Sequence, residues 1–257
     1  MTPEEYIDIY SSHLGPNDHY FETHKKRFLQ TLSSLPKATQ GGMRAIEVGT
    51  YGFFLKAMKD IGGYDRVDGA IFESNTPYKI IQRSYPFDAD QTKFTLYNGN
   101  IEQECLPMDD EKYDLIIAPE IIEHMPLDPI GFMGELNRVM KFGGRLFLTT
   151  PNVSSIENIH RMLWRQVPNS YYHYRSARIS DRHNLEYGPD LMMQLMENCG
   201  FSVEKIWTEY SWFPPRDDLL DWVGKAGYPT ELRGDNLFVQ AVKTGHVKER
   251  FPIFLYD

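Results

Sequence analysis

Cysteine is scarce in this 257-residue sequence: Cys105 and Cys199 are the whole complement. Two thiols so far apart make neither a disulfide framework nor a cysteine-rich metal site. Long apolar runs are missing too, and none approaches the roughly 18 to 20 residues of a membrane span. The opening MTPEEYIDIY is acidic and lacks the apolar stretch of a secretory signal. Positive charge is in deficit, with 27 Lys and Arg against 36 Asp and Glu and a net charge of −9. Proteins that grip a phosphate backbone usually present a basic face. Here the basic patches are short: His24 to Arg27, and the spread Arg161, Arg165, Arg175, Arg178 and Arg182. These absences argue against secretion and membranes, disfavour nucleic acid, and lead us to expect a cytoplasmic protein acting on a small molecule. No internal repeat or low-complexity tract is present.

What is present is an alternation of strand and helix patterns, with 41% apolar residues to build a core. Strands are expected at Ala45–Val48, Arg66–Phe72, Phe94–Tyr97, Tyr113–Ala118, Arg145–Thr150, Phe201–Trp207 and Asn236–Val242. Helices are expected at Phe53–Asp60, Thr76–Arg83, Pro129–Met140 and Pro189–Cys199. Such alternation implies a mostly parallel α/β sheet of seven strands, Rossmann-like, with helices on both faces. Residues 1–40 read as an amphipathic helical extension, with Tyr20, Phe21, His24, Phe28 and Leu29 at helix spacing. The last two strands read as a hairpin-type addition to the sheet edge. A main domain over residues 41–245 and a tail over 246–257 complete the expected organisation.

The segment RAIEVGTYGFFL, Arg44 to Leu55, is the strongest local signal. A short strand ends in Glu47 and breaks into the turn Val48-Gly49-Thr50-Tyr51-Gly52, after which a helix begins. Strand, glycine turn and helix form a ligand site at the carboxyl edge of an open α/β sheet. The glycines allow close backbone approach, and the helix start offers unpaired N–H groups.

Further on stand YDLIIAPEIIEHM (Tyr113 to Met125), FGGRLFLTTPN (Phe142 to Asn152), and HNLEY (His183 to Tyr187) before a helix ending Cys199-Gly200-Phe201. With the glycine turn, these four motifs in this order resemble the class I S-adenosylmethionine (SAM)-dependent methyltransferases of small-molecule type, from about Ala45 to Val242. The resemblance implies that Glu47, Gly49, Thr50, Tyr51 and Gly52 hold the methionine end of SAM. Ala118 and Pro119 would line the transfer site, and Asn100 and Ile101 would stand near the adenine. The family's ribose-binding acidic position reads Ile71 here, which passes that role to Glu73 or to Asp68. The turn is one glycine short of the usual three. Tyr51 stands where small residues are common, and either packs over the helix or flanks the cofactor.

Methyl transfer to a hydroxyl or amine requires removal of a proton, a task suited to histidine. His124, after the fourth expected strand, and His183 are the candidate catalytic residues; His124 also reads as a structural cap before Pro126. Glu120, Glu123 and His124 have i, i+3, i+4 spacing, so one helical turn would gather them on one face. That string resembles one in small-RNA 3′-end methyltransferases and ubiquinone-pathway O-methyltransferases. In the small-RNA group a later histidine completes a metal site, and His183 lies in a comparable stretch. Similar Glu-His pairs also occur in methyltransferases that bind no metal, so a divalent metal is open but not favoured, and its ligands are unassigned.

Residues 154–184 carry His160, Trp164, Arg165, Tyr171, Tyr172, His173, Tyr174, Arg175 and Arg178. This insert is the expected acceptor lid, with aromatic faces for rings and arginines for phosphate or carboxylate. The same residue types also suit a homo-oligomer contact. The expected activity is O-methylation of a small polar acceptor: a sugar, a nucleotide-linked sugar or a phosphorylated metabolite. The alternatives are a metal-assisted RNA 2′-O-methyltransferase and a non-catalytic scaffold of the same fold.

Overall fold

The computed structural model describes residues 1–14, 18–71, 77–168 and 182–256. Among them the strands are β1 (Arg44–Val48), β2 (Arg66–Ile71), β3 (Lys79–Arg83), β4 (Phe94–Asn98), β5 (Tyr113–Pro119), β6 (Met140–Pro151), β7 (Phe201–Glu209) and β8 (Asn236–Lys243). They form one sheet in the order β3-β4-β2-β1-β5-β6-β8-β7. Strands β4, β2, β1, β5 and β6 are mutually parallel, whereas β3 pairs antiparallel with β4, and β8 antiparallel with both β6 and β7.

The central strands are apolar on both faces, so helices must cover both. Period-two alternation divides their side chains. Ile46, Ile116, Leu146 and Leu148 pack on one side with α4 (Pro129–Val139) and α6 (Pro189–Asn198). Ala45, Leu115, Ile117 and Phe147 pack on the other with α3 (Phe53–Asp60) and α2 (His19–Ser33). The N-terminal helices share this second core. In α1 (Pro3–Ser12), started by a Thr2/Glu5 capping box, the Tyr6 hydroxyl donates to the Phe53 carbonyl at 2.5 Å. From α2, Phe28 stacks on Phe53 with centroids 4.8 Å apart. The extension thus clamps the start of α3, directly after the glycine turn.

The sheet has one strand more than expected, because Lys79–Arg83, within the stretch expected as a helix, is a strand. Lys79–Arg83 is an edge strand in register with β4. The β-branched pair Ile80-Ile81 fits a pleated edge, and β4 offers an unpaired row of backbone groups to receive it. Its Gln82 side chain donates to Thr95 across the pair at 3.0 Å. Two further helices lie in stretches to which the sequence patterns assign no element: α5 (Ile156–Leu163) and α7 (Asp217–Lys225).

The C-terminal residues fold back onto the sheet's helices. The Lys248 N–H donates to the Asn198 carbonyl at 2.8 Å, and Arg250 and Tyr256, the latter in α8 (Ile253–Tyr256), both bond Asp128 at the start of α4.

Candidate active site

The carboxyl ends of β1, β2, β4 and β5 open into a chamber of about 1330 Å³. Gly49 and Gly52 both adopt the left-handed region, with φ of +81° and +97°. A Cβ at Gly49 would sit 2.9 Å from the Ile121 side chain, and one at Gly52 would enter the Tyr85 ring. Glycine is therefore required at both, by conformation and by space. The turn is tied to the sheet by the Gly49 and Thr50 N–H groups, which donate to the Ala70 carbonyl.

Under the turn lies Glu47, 2% exposed. Burial pushes its carboxyl up to about 8, against the opposing pull of a hydrogen bond from Thr50. Tyr51 is 83% exposed at the chamber's mouth, so it does not pack over the helix. Ile71, Asn100, Ile101 and Pro119 line the chamber, while Ala118 is fully buried in the core and only precedes it. Asp68 does not reach it: the Tyr113 hydroxyl donates to its carboxylate at 2.7 Å and Lys112 pairs with it at 3.6 Å. Glu73 lies outside the described residues, as do the lid residues Tyr171, Tyr172, His173, Tyr174, Arg175 and Arg178.

After β5 the chain does not make the expected helical turn. Glu120 takes a φ of +53°, and a 3₁₀ turn, Ile122–His124, follows. Glu120 accepts from the Thr149 hydroxyl at 2.8 Å instead of joining Glu123 and His124 on one helix face. His183 takes its place. One ligand-type atom from each of Glu123, His124 and His183 lies within 4.8 Å of the others. The two imidazoles meet edge to face, 4.9 Å between centroids.

Each member of this group is oriented from behind. His124 Nδ1 bonds the Arg182 carbonyl oxygen at 3.0 Å, and His183 Nδ1 bonds the Glu186 carboxylate at 3.0 Å. A carbonyl only accepts, so His124 carries its proton on Nδ1 and its lone pair on Nε2. With Glu186 as acceptor, His183 has the same tautomer. Asn184 holds the turn itself, its N–H donating to the Glu123 carbonyl at 2.7 Å and its amide to the His124 carbonyl at 3.0 Å. Glu123 is wholly buried; Thr150 donates to its Oε2 at 3.0 Å, while Oε1 has no hydrogen-bond partner among the described residues and lies 4.0 Å from His124 Nε2. Burial, with the neighbouring Glu120 charge second, pushes the Glu123 carboxyl well above the usual range.

The insert contributes Ser155, Glu157, Asn158 and His183 to the chamber wall. His160 and Trp164 do not line it; they bond each other, indole N–H to imidazole at 3.0 Å. The opposite wall comes from α2 and the segment before α7: Tyr20, His24, Arg27, Trp212 and Phe213. The sequence marks His24 to Arg27 as a basic patch and sets His24 at helix spacing with Phe21 and Phe28, but nothing local shows that α2 turns Arg27 inward. Trp207, by contrast, stacks on Phe238 within the sheet, 5.2 Å between centroids.

A ligand chamber at the carboxyl edge of β1, β2, β4 and β5, bordered by Glu123, His124 and His183, accords with one class: a class I SAM-dependent methyltransferase. The methyltransferase-domain family model matches residues 18–206, and the chain belongs to that family. Solved structures share the fold. A chain of the complex between the Haloferax volcanii Trm112 methyltransferase activator and a methyltransferase is 18% identical, with a TM-score of 0.57 over 93% of this chain and 98% of that one. A SAM-dependent methyltransferase from Archaeoglobus fulgidus is 16% identical, with a TM-score of 0.55 over 88% of this chain and 100% of that one. One from Thermotoga maritima, described as a possible histamine N-methyltransferase, is 16% identical, with a TM-score of 0.53 over 93% and 100%. No curated protein sequence matches the chain.

The fold implies SAM as cofactor, and the residues present fit it. Gly49, Thr50 and Tyr51 of the turn line the chamber, and the buried Glu47 carboxyl in the same lining has the chemistry to answer a cationic ligand.

Proposed function

We propose that the chain transfers a methyl group from SAM to a hydroxyl of a small polar acceptor, such as a sugar, a nucleotide-linked sugar or a phosphorylated metabolite. The observation that carries this reading is the His124 imidazole, fixed with its basic Nε2 beside the buried Glu123, in the same chamber as the glycine turn. Glu47 and the turn from Gly49 to Gly52 hold the methionine end. Asn100 and Ile101 stand at the adenine end, and Pro119 borders the transfer site. The expected organisation carries over as part of the proposal: residues 41–245 as the catalytic domain, with 1–40 roofing it.

Bound SAM supplies an electrophilic methyl group on a sulfonium, so the hard chemistry belongs to the cofactor. The protein aligns the acceptor oxygen with that methyl and excludes water. With SAM bound, His124 Nε2 would accept the acceptor hydroxyl's proton as the methyl group is transferred. His183 and the Glu123 carboxyl border the proton's destination. The test is release of S-adenosylhomocysteine (SAH) across a panel of hydroxyl and amine acceptors, using the full chain. Turnover with hydroxyl acceptors that His124→Ala abolishes supports the reading; turnover confined to amines overturns it.

A second reading has its own observation. Glu123, His124 and His183 have the composition of a divalent-cation site, and both imidazoles bond backwards through Nδ1 as metal ligands do. A cation there would lower the acceptor hydroxyl's pKa directly. Loss of turnover in EDTA and its return with Mg²⁺ or Mn²⁺ would select this route. RNA as acceptor is disfavoured by the net charge of −9.

A further inference from the structure

Arg27 is a cation buried in the chamber wall without an anion. It projects from α2, is 3% exposed, and lines the chamber. Its Nη2 reaches the Tyr20 hydroxyl at 3.5 Å, the outer edge of hydrogen bonding. Its guanidinium lies over the Phe28 ring, 4.9 Å from the centroid. Nε is buried and has no partner, and among the described residues Arg27 forms no ion pair.

Two other charged groups of the chamber are answered by named partners. Glu157 is paired by Arg161 at 3.2 Å and by Arg216 at 2.7 Å. The Asp235 carboxylate accepts from the N–H groups of Ser211, Trp212 and Phe213. A guanidinium taken from water without a partner is costly, so a position like that of Arg27 points to an anion that arrives with a ligand. The planar fork matches a carboxylate or a phosphate.

Its position selects the occupant. Arg27 stands in a run of side chains other than those proposed to hold SAM: the Tyr20 ring it reaches lies 4.4 Å from the His24 ring, and His24 Nδ1 accepts from the Trp212 indole N–H at 3.1 Å. We propose that Arg27 is the receptor for an anionic group, a carboxylate or phosphate, carried by the methyl acceptor. The inference rests on the methyltransferase reading, which is what makes the second occupant of the chamber an acceptor.

The test uses the full chain saturated with SAH and titrated with inorganic phosphate or acetate against chloride at constant ionic strength, with melting temperature as readout. Phosphate or acetate should raise the melting temperature of the wild type. Arg27→Gln should lose that rise while its SAH affinity stays within about 3-fold of wild type. Arg27→Lys, which keeps the charge and loses the fork, should retain a reduced rise, and it decides the matter if Arg27→Gln fails to fold. An equal anion effect in wild type and variants, or no effect in the wild type, overturns the proposal and leaves the cofactor site standing. A loss of SAH affinity of about 10-fold or more in Arg27→Gln also overturns it, assigning the guanidinium to the cofactor's own carboxylate. Failure of the wild type to bind SAH would overturn the methyltransferase reading and this inference together.

Discussion

Thr50 donates a 2.5 Å hydrogen bond to Glu47 and accepts one of 2.8 Å from the Gly52 N–H, so one hydroxyl closes the turn over a buried carboxyl. That carboxyl sits at about 8 when folded, against an ordinary value of 4.5. Between those values the folded protein holds a proton that the unfolded chain has lost. Through Glu47, stability is therefore greatest below the lower value and falls as pH rises through the window. A cationic ligand acts in the opposite sense, because it favours the ionised carboxylate. SAM binding below pH 8 should release a proton, and its affinity should rise with pH up to that point. Calorimetry in two buffers of different ionisation enthalpy measures the release directly. Glu47→Gln should abolish both the release and the slope; a slope that persists in that variant would move the titrating group elsewhere.

The glycine turn makes a sharper demand. Gly49 has a φ of +81°, and the space a Cβ would need is taken by Ile121. Gly49→Arg adds backbone strain of about 1–3 kcal/mol and fills the cradle. The variant should melt at lower temperature and show no SAH binding by titration. Unchanged SAH affinity would refute the placement of the cofactor site.

His124 has two claims on its ring, one chemical and one structural. Its Nδ1 ties the turn after β5 to the Arg182 carbonyl, while Nε2 faces the chamber side of Glu123. If proton removal is its role, His124→Ala lowers kcat by about 10²–10⁴. SAH affinity, set at the glycine turn, should stay nearly constant. A variant that unfolds, or that turns over normally, would reduce His124 to a clamp for the segment from Arg182 to Asn184.

The N-terminal helices should matter to both stability and the site. The buried Tyr6 hydroxyl satisfies the Phe53 carbonyl, and Phe53 packs against Tyr6, Tyr10, Phe28 and Phe54. Tyr6→Phe removes that hydrogen bond and should cost about 1–3 kcal/mol in denaturant melts. Phe53→Ala should cost about 3–5 kcal/mol, because the ring is a central contact of the roof. It should also weaken SAH binding, since Phe53 directly follows the turn. Phe53→Ala with full stability would mean that the helices dock without that contact.

The parts of this molecule that show in its sequence are those set by short-range patterns. β1 and β5 are apolar runs because both faces are covered, and the Gly49–Gly52 turn is local chemistry. β3 was hidden because Lys79–Arg83 offers polar and apolar residues that suit a helix as well as an edge strand; only the open edge of β4 decides. The face shared by Glu120, Glu123 and His124 failed at one torsion, the positive φ of Glu120, which spacing does not encode. His183 could be named as a partner, but Glu186 and the Arg182 carbonyl behind the imidazoles could not, because they depend on where a distant loop returns. Arg27 is the extreme case. Its inward aim follows from the docking of α2 on Phe53, a contact between residues far apart in the chain.

The group formed by Glu123, His124 and His183 separates the two chemical routes. Burial raises the Glu123 carboxyl's hold on its proton, and a divalent cation would compete with that proton. Cation binding should therefore strengthen as pH rises, with proton release. After EDTA treatment, titration with Mn²⁺ should give one ion per chain if the second reading holds. Glu123→Gln and His183→Ala should each abolish that binding, and turnover should follow occupancy. A wild type that binds no Mn²⁺ and turns over equally in EDTA would leave proton acceptance by His124 as the working route. In that case Glu123→Gln, which keeps the size of the buried side chain and removes its charge, should retain most of the activity.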